Sequence, residues 1–324
     1  MKTLSSVLAA TIRDYLGLKR ALGRQYKHEE WVLAHLDRFL AGRHADLSAE
    51  MFAAWCLTLQ NLASGVRRDR MRHVRNLCVY RQRREPGCFV PDERLFPPLH
   101  QKVRPHIFTD AQVSQLLAIA RMLTRTPNSP LCPENMRLAI VLLYTTGLRR
   151  GELARLTVGD YNRQEQLLMI RASKFHKSRL LPLSADAVRE IDHVLAIRRQ
   201  QRFPVSADSP LLWHCARSYT GDGIGLTMRT LFRKAGIRTS TGDLPRTHDF
   251  RHAFALAALL RWYRAGVDVQ TKLPSLATYM GHVSIASTAY YLQFVEPLAA
   301  AASERFAKHC GALITPEHFH GGAQ

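Results

Sequence analysis

Residues 280–291 read MGHVSIASTAYY, and this is the most informative segment of the chain. Two segments precede it in the chain: residues 146–153 read TGLRRGEL and residues 248–252 read HDFRH. Guanidinium groups bind two phosphate oxygens at once, and imidazoles move protons near neutral pH. A tyrosine hydroxyl can form a covalent phosphoryl intermediate. In this order, the three segments contain the groups that could bind and attack a phosphodiester.

These segments resemble those of the tyrosine recombinases, the phage-integrase family, over about Arg104 to Phe294. No single segment is specific to this family. The occurrence of all three in this order, with a strand-like lysine segment between them, is specific to it. The resemblance implies a mainly α fold. It consists of an N-terminal helical, SAM-like DNA-binding domain and a C-terminal mixed α+β catalytic domain with a small antiparallel sheet.

The resemblance also assigns roles to individual residues. It implies that Tyr291 is the nucleophile, and it gives the other catalytic residues as Arg149, Lys174, His248, Arg251 and His282. Glu152 lies three residues after Arg149 and can reach it along one helix face, either to orient its guanidinium or as an ordinary surface ion pair. Arg150 is the alternative to Arg149 by charge alone. Tyr290 is the neighbour that the spacing from His282 disfavours.

The lysine segment, residues 170–183, reads IRASKFHKSRLLPL. Short strand-like runs at 166–170 and 179–183 flank a predicted hairpin turn at 173–178. The resemblance places the catalytic lysine at Lys174, as proton donor to the leaving oxygen. Lys177 is the competitor and a candidate DNA contact, and two solvated turn lysines are the simpler alternative.

The charge balance favours a polyanionic partner. The 324 residues include 46 Lys and Arg against 26 Asp and Glu, which gives a net charge of +20. Nucleic acid is the commonest such partner, and charge alone would equally describe a ribosomal or regulatory protein. The family resemblance implies that the partner is double-stranded DNA. No run is long enough to span a membrane, and charge interrupts the N-terminal apolar stretch, so we expect a cytoplasmic protein without a membrane partner.

Neither a metal nor a cofactor is expected. None of the six cysteines forms a close pair with metal-ligand spacing. Attack by tyrosine with arginine clamps requires no metal ion, and the covalent intermediate retains the energy of the phosphodiester.

Helical periodicity and proline content suggest the domain limits and some helix limits. Ser48 and the segment Thr109 to Gln112 are predicted helix starts, and Ala185 to Gln200 is a predicted helix. Residues 1–85 read as a helical core-DNA-binding domain, residues 86–105 as a proline-rich linker, and residues 106–324 as the catalytic domain. The helix from Val66 to about Arg84 is dense in arginine, which is typical of a phosphate-contacting helix or of a solvated basic face. The candidate DNA contacts are Arg67, Arg68, Arg72 and Arg75, with Lys102 and Arg104 in the linker.

Three further expectations concern the C-terminal half. Residues 221–225 should form a flexible loop before a basic helix at 227–235. The sequence separation between Arg251 and His282 exceeds the usual family spacing. The extra residues, within 261–275, should extend a helix and add a loop, and the sequence does not indicate their function. A small-residue helix at 298–308 should dock on its own domain or on a neighbouring protomer.

The resemblance implies a homotetramer on two DNA sites, with a monomer or dimer off DNA.

The resemblance implies site-specific DNA recombination through a 3'-phosphotyrosyl intermediate, for integration, excision or transposition of a mobile element. Two alternatives remain open at this point. One is a type IB topoisomerase-like relaxing enzyme, which shares the chemistry, and the other is a non-catalytic DNA-binding regulator.

Overall fold

The structure is a computed structural model that describes residues 3–98, 104–171, 178–215, 217–282, 284–289 and 291. Contacts divide the chain into two units, Met1–Val103 and Arg104–Gln324. Within the described residues, no helix is both long and apolar enough to cross a membrane.

Four helices build the N-terminal unit: α1 (Ala9–Ala21), α2 (Lys27–Ala41), α3 (Ala49–Leu57) and α4 (Ser64–Arg81). Each turns an apolar stripe inward, and fully buried Leu36, Trp55 and Val74 meet in one core. The predicted cap of α3 is confirmed, because the Ser48 hydroxyl accepts a hydrogen bond from the Met51 amide at 3.1 Å.

The N-terminal unit extends beyond residue 85. Phe96 is 5% exposed in its core, and Phe89 and Val90 pack against the same core. Arg68 donates a hydrogen bond to the carbonyl of Pro97 at 2.9 Å. Proline does prevent a long helix here, with only a short 3₁₀ turn at Glu93–Leu95. The aromatic side chains, however, fix the first part of the expected linker to the helices.

The elements of the second unit, in chain order, are α5 (Asp110–Arg121), α6 (Cys132–Thr146), α7 (Arg150–Leu153), a 3₁₀ turn (Val158–Asp160), β1 (Tyr161–Asn162), β2 (Leu167–Ile170), β3 (Arg179–Pro182), α8 (Ala185–Gln200), β4 (Trp213–His214), β5 (Arg217–Ser218), α9 (Gly221–Lys234), α10 (Asp249–Arg264), α11 (Val269–Met280) and α12 (Ala286–Ala289). Helix α6 is buried along most of its length and packs against α5, α8 and α10. Thr109 and Gln112 form the predicted capping box of α5.

The small sheet is antiparallel in the order β1-β2-β3. Its last pair joins Ile170 to Arg179, which confirms the two predicted strand-like runs as paired strands. Most of the predicted turn at 173–178 lies outside the described residues. Helix α8 begins and ends where the sequence predicts. The β4–β5 hairpin was not predicted, because strands of two residues give no measurable alternation.

The expected loop at 221–225 is wrong, since these residues form the first turn of α9. Thr220 caps the helix by accepting a hydrogen bond from the Gly223 amide at 3.0 Å. The absence of a side chain at Gly225 leaves space for a neighbouring side chain. A Cβ on Gly225 would lie 2.5 Å from Nη1 of Arg150, whose side chain crosses this turn and donates to Asp222 at 2.8 Å.

The extra residues after Arg251 lengthen α10 to Arg264, as expected, and a short loop then leads into α11. A separate apolar cluster joins the two helices and includes Leu259, Leu273 and Tyr291. Trp262 and Tyr263, both within the extra segment, pack against this cluster. The segment therefore contributes to the surroundings of Tyr291.

Candidate active site

The break between α6 and α7 brings the first arginine into the site. Gly147 has φ +62°, a left-handed conformation that favours glycine, and a Cβ there would lie 2.6 Å from the Phe254 ring. The chain therefore turns sharply, and Arg149 becomes the N-cap residue of α7. Its side chain, 26% exposed, donates through Nη1 to Glu152 Oε1 and through Nη2 to the carbonyl of Gly281, both at 2.8 Å.

Glu152 is a buried carboxylate, not a surface partner. Its side chain is 2% exposed and accepts from the backbone amide and guanidinium of Arg149 and from both Nη atoms of Arg179. Burial raises the pKa of this carboxyl. The hydrogen bonds from Arg179 and from the Arg149 amide, with the charges of both arginines, more than offset burial, and the pKa falls to about 2. Glu152 is therefore ionised at neutral pH and holds two guanidinium groups in place.

The start of α10 supplies His248 and Arg251. Arg251 is 1% exposed and donates to the carbonyls of Gly147 and Met280, both at 2.6 Å. Its burial lowers the pKa of the guanidinium to about 10, which still leaves it charged at neutral pH. His248 is the N-cap residue of the same helix, and its ring meets that of His252 edge-on at 4.9 Å between centroids.

His282 follows the glycine that ends α11. Gly281 has φ +65°, and a Cβ there would lie 2.7 Å from Nη1 of Arg179, so both backbone and packing favour glycine. The Nδ1 atom of His282 lies 2.7 Å from Oγ1 of fully buried Thr288. Because Nδ1 is occupied by Thr288, the Nε2 atom is the one left to face a substrate.

Tyr291 lies between two of these histidines and is 3% exposed. Its ring meets His252 at 5.4 Å and 62°, and stacks with His282 at 6.2 Å and 17°. It is close enough to Arg251 for their charges to interact. The structure thus brings together five of the six predicted catalytic residues: Arg149, His248, Arg251, His282 and Tyr291.

The three histidines of the site are neutral at physiological pH. Burial and the neighbouring positive charges, mainly Arg251 and Arg149, lower the pKa of His282 to about 4. Burial and the nearby His248 do the same for His252. For His248, burial and the charge of Arg251 lower the pKa to about 4, although the residue as a whole is exposed and solvent screens part of the effect. Neutral imidazoles can both donate and accept hydrogen bonds at a phosphate.

Some predicted residues lie elsewhere. Lys102, Lys174, Lys177 and the helix expected at 298–308 are outside the described residues. Arg150, the alternative to Arg149, lies over α9 and pairs with Asp222. Arg104 is exposed at the start of the second unit.

Sequence reasoning missed two residues that bond directly to predicted site residues. Arg179 shares Glu152 with Arg149, and Thr288 holds His282. The sequence pattern identifies Arg179 only as the start of a strand, and the signal for a further role is an arginine in an otherwise apolar strand. Thr288 gave no signal, because threonine is common at helix starts.

The arginines of α4 divide into two groups. Arg68 donates to the carbonyls of Phe96 and Pro97, and Arg72 pairs with Asp69 at 2.5 Å. Arg67 and Arg75 form no ion pair with any residue that the structure describes, and Arg75 lines a surface cavity of about 260 Å³ with Lys19 and Arg83 among its walls. Not every arginine of this helix is available to a partner.

Known proteins resemble this chain in sequence. A sequence profile of the phage integrase family matches residues 107–296. The y4rB protein of Sinorhizobium fredii, a candidate integrase/recombinase, is 32% identical over 293 residues, 89% of this chain and 93% of that protein. Tyrosine recombinase XerA of Pyrococcus horikoshii is 28% identical over 202 residues, 61% of this chain and 60% of that protein.

Solved structures share the fold. The Tn1549 transposon integrase, in complex with transposon right end DNA, superposes with a TM-score of 0.61 over 93% of this chain and 99% of its own, at 17% identity. The fold, the profile match and the relatives together define a DNA strand-cleaving and rejoining enzyme. The chain belongs to the phage integrase family, the tyrosine recombinases, and is a site-specific recombinase/integrase of the tyrosine type.

Proposed function

We propose that this recombinase cuts and rejoins DNA through Tyr291. The observation that carries the proposal is the gathering of Tyr291, Arg251, Arg149, His248 and His282 around the C-terminal end of α11. The tyrosine oxygen attacks the scissile phosphorus and displaces the 5' oxygen of the next nucleotide. The products are a 3'-phosphotyrosyl link and a free 5'-hydroxyl, and attack by a 5'-hydroxyl of a partner strand reverses the step.

Each residue has a role that follows from its chemistry. Arg149 and Arg251 stabilise the charge that develops on the non-bridging oxygens. His248 and His282, neutral at the working pH, hydrogen-bond the phosphate and assist proton movement. Lys174 protonates the departing 5' oxygen, with Lys177 as the nearby DNA contact.

The site requires rearrangement before it can act. Arg251 is 1% exposed and Tyr291 is 3% exposed, so a phosphodiester cannot reach either of them in the described arrangement. Both nitrogens of the Arg251 fork donate to backbone carbonyls. We infer that DNA binding exposes these groups, which keeps the nucleophile inactive away from DNA.

The biological role that we propose is movement of a mobile element by integration, excision or transposition. It is supported by the y4rB relative and by the likeness to a transposon integrase. Strand exchange between two sites would require four protomers on two duplexes. Away from DNA, we propose a monomer or dimer. We also propose a cytoplasmic location.

We also propose how DNA is held. The N-terminal unit binds phosphates through Arg67, Arg72 and Arg75, and Lys102 and Arg104 follow the backbone between the units. Arg68, also predicted as a DNA contact, is engaged with carbonyls 96–97 instead, and we assign it a structural role.

A nicked DNA substrate that traps the covalent intermediate tests the function. The parent protein should form a covalent adduct, Tyr291→Phe should form none while binding DNA normally, and Tyr290→Phe should retain adduct formation. Adduct from Tyr291→Phe, or its loss from Tyr290→Phe alone, would refute the assignment. Relaxation of supercoiled DNA without exchange between two sites would favour a topoisomerase instead.

A further inference from the structure

The C-terminal end of α11 is held by three arginines, one for each of three successive carbonyls. The bonds are Arg179 Nε to Tyr279 at 2.8 Å, Arg251 Nη2 to Met280 at 2.6 Å and Arg149 Nη2 to Gly281 at 2.8 Å. The last carbonyls of a helix lack partners within the helix and carry partial negative charge. The three guanidinium groups therefore satisfy this end and fix the point from which the chain continues to His282.

Arg179 differs from the other two in what its remaining nitrogens do. Nη1 and Nη2 donate to both oxygens of Glu152, at 3.1 and 2.9 Å, in a fork that leaves the side chain 9% exposed. Since Nε is engaged with Tyr279, every nitrogen of this guanidinium already has an acceptor. Arg149, which shares Glu152, is 26% exposed and retains an accessible side.

The surroundings of Arg179 are built around it. A Cβ on Gly281 would lie 2.7 Å from Nη1 and 3.0 Å from Cζ of Arg179, so the guanidinium packs against this glycine. Strand β3 holds the backbone of Arg179 through its pairing with Ile170. The side chain thus connects three elements: the sheet, the buried carboxylate of α7 and the end of α11.

Resting on the proposed function of Tyr291 and the two clamping arginines, we propose that Arg179 is a positioning residue for strand cleavage. It acts through Glu152, which fixes the guanidinium of Arg149, and through Tyr279, which fixes the segment leading to His282. It does not contact the phosphate. Misplacement of a reacting group by about 1 Å can cost about 10²-fold in rate, so loss of Arg179 should slow cleavage without weakening DNA binding.

The test compares Arg179→Met with Arg137→Met. Arg137 forms an equivalent partly buried fork with Glu190, at 2.9 and 2.6 Å, but contacts none of the site residues named above. Both variants lose an arginine–glutamate pair in the same unit, so thermal unfolding should report similar destabilisation. Single-turnover cleavage at saturating DNA should fall about 10²-fold for Arg179→Met and stay near the parent rate for Arg137→Met. DNA affinity should be unchanged in both.

Two further measurements separate positioning from other roles. A substrate with sulfur at the 5' bridging position has a leaving group that needs no proton, so it should not restore Arg179→Met, because the phosphate clamp is still misplaced. The double variant Glu152→Gln, Arg179→Met should slow cleavage by less than the product of the two single fold-changes. Both single variants weaken the same contact, the one between Arg179 and Glu152. Arg179→Lys should recover little, because an ammonium cannot reproduce the fork.

Parent-like cleavage by Arg179→Met would overturn the proposal, as would full rescue by the sulfur substrate or an equal slowing by Arg137→Met. A fall in DNA affinity as large as the fall in rate would also overturn it. Adduct formation by Tyr291→Phe would instead defeat the proposed function itself, so the two failures are distinguishable.

Discussion

Two regions of this protein concentrate arginine, and they use it differently. Along α4, ion pairs involve carboxylates that are 38–52% exposed, such as Asp69, Asp46 and Glu85. In the site, Arg149 and Arg179 share one carboxylate that is 2% exposed, and Arg251 is almost fully buried. An exposed ion pair contributes about 0–1 kcal/mol, whereas breaking a buried pair costs about 3–5 kcal/mol. The site arginines therefore specify geometry, and those of α4 mainly supply charge.

The largest effect should follow from removing a buried arginine. Arg251→Ala should lower the rate of cleavage about 10²- to 10³-fold, as expected when a group that stabilises transition-state charge is lost. Arg251→Lys should recover little. Single-turnover cleavage at saturating DNA is the measurement, and a rate within about threefold of the parent would show that this arginine is structural only.

Removing Lys174 should have a smaller effect that depends on the leaving group. It distinguishes protonation of the leaving oxygen from stabilisation of charge on the phosphate. Lys174→Ala should slow cleavage of ordinary DNA about 10²-fold, the lower end for loss of a general acid. On the substrate with sulfur at the 5' bridging position, it should approach the parent rate. Rescue of Lys177→Ala instead would transfer the role to Lys177, and equal defects on both substrates would remove Lys174 from it.

The buried histidines should make the second unit sensitive to acid. His252 is 9% exposed with a pKa of about 4, against 6.5 for an ordinary histidine, because of burial and the positive charges of the neighbouring residues. The unfolded chain then binds protons that the folded protein excludes. The contribution of neutral His252 to the free energy of unfolding is fully present above pH 6.5 and is lost as the pH falls from about 6.5 to about 4.

At pH 5.5, one unit below 6.5, His252 alone should cost at most about 1.4 kcal/mol of unfolding free energy relative to pH 7.5. Urea unfolding at the two pH values measures this. His252→Phe keeps an aromatic ring against Tyr291 and should lose less stability between them than the parent. An identical loss in both proteins would place the acid sensitivity elsewhere.

The smallest effect should come from the arginines of α4. Neutralising Arg72 and Arg75 together should flatten the slope of log affinity against log salt by up to about 2, since each phosphate contact contributes about 0.9. Cleavage at saturating DNA should be unchanged. Arg20→Ala, which removes an exposed pair with Glu30 between α1 and α2, is the matched control. An unchanged slope in the double variant would mean that this face of α4 does not contact DNA.

The sequence was most informative where one residue type carries a fixed physical requirement. Gly147 and Gly281 both adopt positive φ, and each aims the following residues into the site, so the short segments around them could be recognised without a structure. Periodicity likewise predicted α8 and the cap of α5 correctly. At 221–225 the expectation of a flexible loop is wrong, because Gly225 makes room for Arg150 within a helix.

Long-range partnerships were not predictable. Arg179 lies 27 residues from Glu152 and 100 from Tyr279, and nothing local to strand β3 indicates either contact. The burial of Arg251 and Tyr291 was equally hidden, because it depends on how α10 and α11 pack together. Pattern analysis identifies the groups needed for the chemistry, but the constraints that hold them arise from tertiary packing.

The role of Tyr291 as nucleophile is tested most directly by identifying the residue that becomes linked to DNA. After trapping on nicked DNA, nuclease treatment and trypsin digestion, the peptide spanning residues 273–305 contains both candidate tyrosines, and fragment masses distinguish them. We expect a 3'-linked nucleotide remnant on Tyr291 and none on Tyr290. A remnant on Tyr290, or on any residue outside this peptide, would contradict it.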